Sequence, residues 1–309
     1  MSILFCSDSE DPAPWRAALA RAYPDMPFRV WPDAGPLDAV RYALAWEPRR
    51  GVLAQLPNLR AVMVLGAGVD SVLNDDSLPV KVPVLRLVDA GLVEPMAAYA
   101  LHAVLYFQRR AGDYLRQQSQ REWRRQTQLP PEQWPVGVMG LGVIGSAVAR
   151  RLIINGFPVL GWSRSEKSIE GVETFAGRER LHAFLARSRV VIGVLPLTPQ
   201  TAGVLDAAAF AAMPEQGYLV NIGRGDHVVD EDLIAALDSG HLAAAMLDVF
   251  REEPLPATHP FWRHPRIVVT PHTAAPTVAT DAEAQIIENI RRLENGEAPT
   301  GLVDRNRGY

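Results

Sequence analysis

Cysteine is nearly absent from the 309-residue chain: Cys6 stands alone. No intrachain disulfide can form, which fits a reducing compartment. Cys6 ends a short apolar run after Phe5 and reads as core packing. Long apolar runs are missing too. No stretch approaches the roughly 20 consecutive apolar residues that span a bilayer, and the N-terminal residues lack the basic segment of a signal peptide. A cytoplasmic protein is expected. The net charge of −4 gives no electrostatic basis for binding nucleic acid or an anionic membrane. No histidines or cysteines are spaced as metal ligands, so no metal site is expected. No G-x-S-x-G elbow marks a serine hydrolase.

What is present is enough for two domains. The first third alternates short apolar runs with helical patterns. Strands are expected over 3–6, 42–46, 61–65 and 82–87, with a helix over 14–23 that puts Trp15, Ala18 and Leu19 on one face. This rhythm predicts a parallel sheet covered by helices. A proline-free helical stretch follows over 96–118, with Pro95 in its first turn. It begins apolar on most faces, as a core helix, a subunit interface or both would require, and His102 falls inside that apolar part. Residues 121–135, with Arg121, Trp123, Arg124 and Arg125, read as a solvated connector. A second series of strands is expected over 136–139, 159–162, 190–195, 218–221, 244–247 and 267–270, and a last helix over 281–295.

The second series opens with Gly140-Leu141-Gly142-Val143-Ile144-Gly145, the pattern G-x-G-x-x-G. The motif alone is weak. Here it lies between a strand and a helical pattern, which is the context that binds a dinucleotide. Gly140 permits the tight turn, Gly142 a close approach to pyrophosphate, and Gly145 close packing of helix on strand. The next strand ends at Ser163-Arg164-Ser165, with Lys167 following. NAD enzymes commonly place a carboxylate there to hold the ribose hydroxyls. Hydroxyls and cations instead suit a 2′-phosphate, so NADPH is expected in preference to NADH.

Three further segments each follow a strand, where ligands bind in open α/β sheets. They carry Arg224, the acidic pair Glu252-Glu253, and His272. A 2-keto acid reductase needs a cation for the substrate carboxylate, which Arg224 suits as a bidentate fork. It also needs an acid for the carbonyl oxygen, which suits His272. A carboxylate beside that histidine would orient it and favour its charged form. By residue type Glu252 and Glu253 are equivalent.

These segments, together with Ala45-Trp46, Leu65-Gly66-Ala67-Gly68-Val69-Asp70-Ser71, Trp162-Ser163-Arg164, Phe175-Ala176-Gly177-Arg178, Met246-Leu247-Asp248-Val249-Phe250 and the closing residues 303–309, resemble the D-isomer-specific 2-hydroxyacid dehydrogenases along essentially the whole chain. The resemblance implies two doubly wound, Rossmann-like α/β domains with the active site in the cleft between them. A flavodoxin-like substrate domain would comprise residues 1–95 and 277–309, and a cofactor domain residues 96–276, its long first helix building a homodimer. Arg224, Glu253 and His272 would be catalytic, with Arg224 and His272 touching substrate. Ala67, Gly68 and Val69 would offer backbone N–H groups to the substrate carboxylate, and Trp46 would line the pocket. Leu195 and Pro196 would lie near the nicotinamide ribose, and Asp248 near the carboxamide. The expected activity is NADPH-dependent reduction of glyoxylate or hydroxypyruvate to glycolate or D-glycerate, NADH serving less well. The alternatives are a bulkier 2-keto acid such as phenylpyruvate, or a non-catalytic NAD(P)H sensor.

Overall fold

The computed structural model describes residues 1–309, which divide into two units: Met1–Leu92 with Thr277–Tyr309, and Val93–Pro276. In the first unit the chain runs β1 (Ser2–Cys6), α1 (Pro12–Ala22), β2 (Phe28–Val30), β3 (Val40–Ala45), β4 (Ala61–Val64), α2 (Asp70–Leu73) and β5 (Val84–Leu85). All five strands are parallel, in the order β2-β1-β3-β4-β5. The central strands are buried on both faces, so their sequences are apolar runs and not alternations. Asp11 caps α1 through the amide of Ala13, and Trp15, Ala18 and Leu19 form its buried face.

The second unit begins with α3 (Val93–Gln108) and α4 (Ala111–Gln120). One helix was expected over 96–118; two are found. Arg110 between them is left-handed, with φ of 59°; no proline marks that break, and the nearest glycine, Gly112, lies inside the first turn of α4. Gln108 is buried and donates to the carbonyl of Leu129 at 2.8 Å, which ties the end of α3 to the connector. His102 is not in the core: it is exposed on α3 between the rings of Tyr99 and Tyr106. Trp123 in the connector is 96% exposed.

Then follow β6 (Val136–Met139), α5 (Val143–Ile154), β7 (Val159–Ser163), β8 (Val172–Ala176), α6 (Leu181–Leu185), β9 (Val190–Gly193), α7 (Ala207–Ala212), β10 (Gly217–Asn221), α8 (Asp230–Asp238), β11 (Leu242–Leu247) and β12 (Ile267–Val269). The seven parallel strands are ordered β12-β11-β10-β9-β6-β7-β8. Successive residues point to opposite faces. Val190 and Ile192 therefore join Val136, Val138, Ala100, Val104 and Val148 under α3 and α5. Val191 joins Leu160, Leu219, Phe184, Phe210 and Leu233 under α6, α7 and α8. Each large apolar side chain buried in this way contributes about 1.5–3 kcal/mol. The chain closes as α9 (Ala279–Glu294), which returns to the first unit. There Arg21 pairs with Glu283 at 2.6 Å, and Tyr23 donates to the carbonyl of Ile287 at 3.1 Å.

Two strands have no counterpart in the sequence reading, β2 and β8, and the strand expected over 82–87 shrinks to Val84–Leu85. Both missed strands lie at sheet edges. β8 exposes Glu173, which forms an ion pair with Arg187, so it lacks the apolar run of a central strand.

Candidate active site

The strand order of the second unit reverses between β6 and β9, and such a switch point opens a crevice at the carboxyl ends of the strands. The glycine turn lies there. Gly140 has φ of 104°, and a Cβ on it would stand 2.8 Å from the carbonyl oxygen of Val194 after β9. A Cβ on Gly145 would collide with the carbonyl oxygen of Gly140, so only glycine lets α5 start this close to the turn. A Cβ on Gly142 would meet nothing within 4 Å. Gly142 thus borders open space at the N-terminus of α5, where no side chain caps the helix and no acidic residue occupies the first turn. Amides of Val143, Ile144 and Gly145 begin that helix, a cradle of the right polarity for a pyrophosphate. Leu141 sends its side chain into the core against Gly161, leaving only its backbone to the turn.

β7 ends at Ser163. The Ser163 hydroxyl donates to the carbonyl of Ser165 at 2.7 Å and closes the loop on itself. Arg164, Ser165 and Lys167 are exposed along it. The carbonyl of Lys167 accepts from Thr174 on β8 at 2.9 Å, fixing the far end of the loop.

Arg224 follows β10 in a turn shaped by buried Asn221. The Asn221 side-chain amide donates to the carbonyl of Arg224 at 2.9 Å, and its oxygen accepts the amide of Gly223 at 3.2 Å. A Cβ on Gly225 would collide with the backbone of Phe250 and Arg251. The arginine turn and the loop after β11 are therefore packed backbone against backbone.

That loop carries the two glutamates. Glu252 is exposed, whereas Glu253 is brought onto His272. Glu253 Oε2 lies 2.7 Å from His272 Nδ1, and Oε1 accepts the amide of Phe250 at 2.8 Å. Burial opposes charge on the Glu253 carboxylate. The hydrogen bond and charge of His272, the Phe250 amide and the Arg224 guanidinium outweigh it and hold the carboxyl below its usual value. Burial likewise opposes charge on His272, but the bond to Glu253 and its negative charge prevail, and the histidine titrates higher than usual. Arg224 acts in the opposite sense on His272, so its charge is felt there.

Asp248 at the end of β11 is buried, and protein groups engage its carboxylate. It accepts from the Thr270 hydroxyl at 2.6 Å, the Thr273 amide at 2.9 Å and the Ala274 amide at 2.9 Å. Tyr99 on α3 reaches the Thr270 hydroxyl at 2.5 Å. Burial, the largest influence on its phenol, raises the Tyr99 pKa to about 12, so it is a neutral hydroxyl here. Asn221, Tyr99 and Thr270 support the site without having been singled out from sequence. Their partners lie far along the chain or are main-chain atoms, and no spacing encodes either. After β9, Leu195 packs into the core and Pro196 is exposed.

The remaining expected residues belong to the first unit. Trp46 follows β3, and its ring lies over Gly66, where any Cβ would overlap it. Ala67 and Gly68 are partly exposed, while Val69 is buried and precedes α2. Thr277 donates to the carbonyl of Leu65 at 2.8 Å, which anchors the start of this turn.

A sheet of this order, a glycine turn at its switch point, and a carboxylate-paired histidine with an arginine at the ends of neighbouring strands define a nicotinamide-dependent oxidoreductase fold and site. Residues 101–274 match the family described as D-isomer specific 2-hydroxyacid dehydrogenase, NAD binding domain. The chain belongs to the D-isomer specific 2-hydroxyacid dehydrogenase family. It is 46% identical to glyoxylate/hydroxypyruvate reductase A of Escherichia fergusonii, over 100% of both chains. Among solved structures it resembles a D-isomer specific 2-hydroxyacid dehydrogenase from Xanthobacter autotrophicus Py2 in complex with NADPH and MES (TM-score 0.94, 42% identity, 100% and 99% of the two chains). It also resembles an NADPH-dependent glyoxylate/hydroxypyruvate reductase from Sinorhizobium meliloti in complex with NADP and sulfate (TM-score 0.93, 37% identity, 100% of both chains). No helix is long and apolar enough to cross a membrane.

Proposed function

We propose that this enzyme reduces glyoxylate and hydroxypyruvate to glycolate and D-glycerate with NADPH. The observation that carries the chemistry is the 2.7 Å pairing of Glu253 with His272 beside the positive charge of Arg224. Bound nicotinamide would supply a hydride to C2 of the keto acid. The Arg224 guanidinium holds the substrate carboxylate as a fork. With Nδ1–H given to Glu253, His272 presents Nε2–H to the carbonyl oxygen and transfers that proton as the C–H bond forms. One hydride and one proton convert the carbonyl to the alcohol, and His272 is left neutral until it takes up a proton from solvent. The bond to Glu253 and its charge favour the protonated, donating form of His272. The preference for NADPH is supported by the Ser163–Lys167 loop and by the cofactors bound to the solved relatives.

To the first unit this reading assigns binding of the substrate carboxylate by the amides of Ala67, Gly68 and Val69, and a pocket-lining role for Trp46. A cytoplasmic homodimer is part of the same proposal. Its support is the outer face of α3, where Ala98, His102 and Leu105 are exposed, and a lone, buried cysteine whose thiol burial pushes up to about 12. The test is NADPH oxidation by the purified protein with glyoxylate, hydroxypyruvate and phenylpyruvate. Turnover with the two small acids is expected. Activity confined to phenylpyruvate overturns the substrate assignment, and cofactor binding without turnover of any 2-keto acid overturns the enzymatic one.

A further inference from the structure

His227 has no part in the chemistry above, yet it is fully buried next to it. Its ring stands between two main-chain segments. Nδ1 lies 3.2 Å from the amide nitrogen of Arg224, and Nε2 lies 3.3 Å from the carbonyl oxygen of Pro196. These partners fix the tautomer. An amide can only donate, so Nδ1 is the unprotonated acceptor, and a carbonyl can only accept, so Nε2 bears the hydrogen. The ring is the neutral Nε2–H form. Its own backbone is pinned as well: the His227 amide donates to the carbonyl of Arg224 at 3.2 Å, and its carbonyl accepts from Leu205 at 2.9 Å. A Cβ on Gly223 would stand 3.1 Å from the imidazole, so the turn leaves little slack around the ring.

We propose that His227 is a positioning residue that sets the direction of Arg224 by holding its amide and bracing the turn against the strand end at Pro196. This rests on the reading of Arg224 as the carboxylate clamp. Pro196 has a second anchor, the Thr201 hydroxyl at 2.7 Å. Replacing the ring by an apolar side chain leaves the Arg224 amide without this acceptor, and a fork aimed a few tenths of an ångström off loses carboxylate affinity.

The test compares His227→Leu with His227→Asn. The asparagine oxygen falls where Nδ1 was, which restores the acceptor for Arg224 but not the reach to Pro196. Three quantities are read: thermal midpoint, KM for glyoxylate and for NADPH, and calorimetric affinity of the NADPH-loaded protein for oxamate, a non-reacting carboxylate. His227→Leu is expected to raise the glyoxylate KM and weaken oxamate about tenfold, with the NADPH KM changed less than about twofold. His227→Asn is expected to recover most of that loss even if both variants melt at the same lowered temperature. Equal impairment of the two variants, or wild-type oxamate affinity in His227→Leu, overturns the proposal. If wild type reduces no 2-keto acid the enzymatic reading fails separately, and the oxamate comparison still decides the role of His227.

Discussion

Asp248 grips the chain on both sides of His272. Its carbonyl accepts the His272 amide at 2.8 Å, while its carboxylate takes the Thr270 hydroxyl on one side and the amides of Thr273 and Ala274 on the other. His272 itself is left-handed, with φ of 53°. That conformation costs a non-glycine residue about 1–3 kcal/mol, and it persists only where the surroundings impose it. Asp248 imposes it. Asp248→Asn should replace one acceptor with an NH2 group that faces a hydroxyl or amide donor, at a cost of about 1–3 kcal/mol. The expected result is a lower thermal midpoint together with a kcat reduced about tenfold or more. A variant with wild-type kcat would show that the His272 loop holds its shape without this carboxylate.

Glu253 should set the pH range of the reaction. With His272 as the proposed proton donor, the rate is expected to be full below its folded pKa and to fall as pH rises through it. Glu253 holds that pKa above the usual 6.5. In Glu253→Gln burial and the Arg224 charge, which lower it, are opposed only by the more weakly acting charge of Asp248. The basic limb of kcat/KM for glyoxylate should therefore move to lower pH, with kcat at neutral pH down about 100-fold and partly recovered in acid. Exposed Glu252 serves as the control, and Glu252→Gln should track wild type. An unmoved limb in Glu253→Gln would separate the carboxylate from the proton donor.

The parts legible in the sequence were those written in side-chain type and period. The apolar runs of β1, β3, β6 and β9 gave the parallel sheets, the glycine spacing at 140–145 gave the turn, and Arg224 and His272 stood out by following strands. By residue type Glu253 and Glu252 were equivalent and only the family resemblance picked Glu253; in the fold it is Glu253 that the loop turns toward His272. His227 was illegible as a supporting residue because both its ring partners are main-chain atoms, which carry no residue identity. The break at Arg110 was illegible for another reason: Arg109, Arg110 and Ala111 favour helix, Gly112 is the one weak helix former nearby and falls inside α4, and the Gln108 contact with Leu129 at the end of α3 is tertiary.

The two later fingerprint glycines should fail in different ways. Gly142→Ala adds a Cβ with nothing within 4 Å, at φ of −78°, which any residue adopts. Its thermal midpoint should stay close to wild type while the NADPH dissociation constant rises about tenfold, because the added methyl takes space assigned to pyrophosphate. Gly145→Ala collides with the carbonyl oxygen of Gly140 inside the fold. It should lower the thermal midpoint of the protein without cofactor, an overpacking cost of about 1–3 kcal/mol or more. Thermal melts with and without NADPH distinguish the two, and a stable Gly145→Ala that binds NADPH normally would contradict the packing argument.

The loop after β7 should decide between the two nicotinamide cofactors. Arg164 is exposed there, and Ser163 is held by its bond to the Ser165 carbonyl, so the arginine is the strongest cation the loop can offer a 2′-phosphate. A charge-assisted bond from arginine to phosphate is worth about 1.5–3 kcal/mol, roughly a ten- to hundredfold effect on affinity. Arg164→Ala should therefore raise the KM for NADPH by about that factor and leave the KM for NADH nearly unchanged, because NADH has no phosphate to lose. A variant at Lys167, farther along the loop, should give a smaller change in the same direction as salt screens it. Equal losses with both cofactors would mean that Arg164 supports the loop and does not read the phosphate.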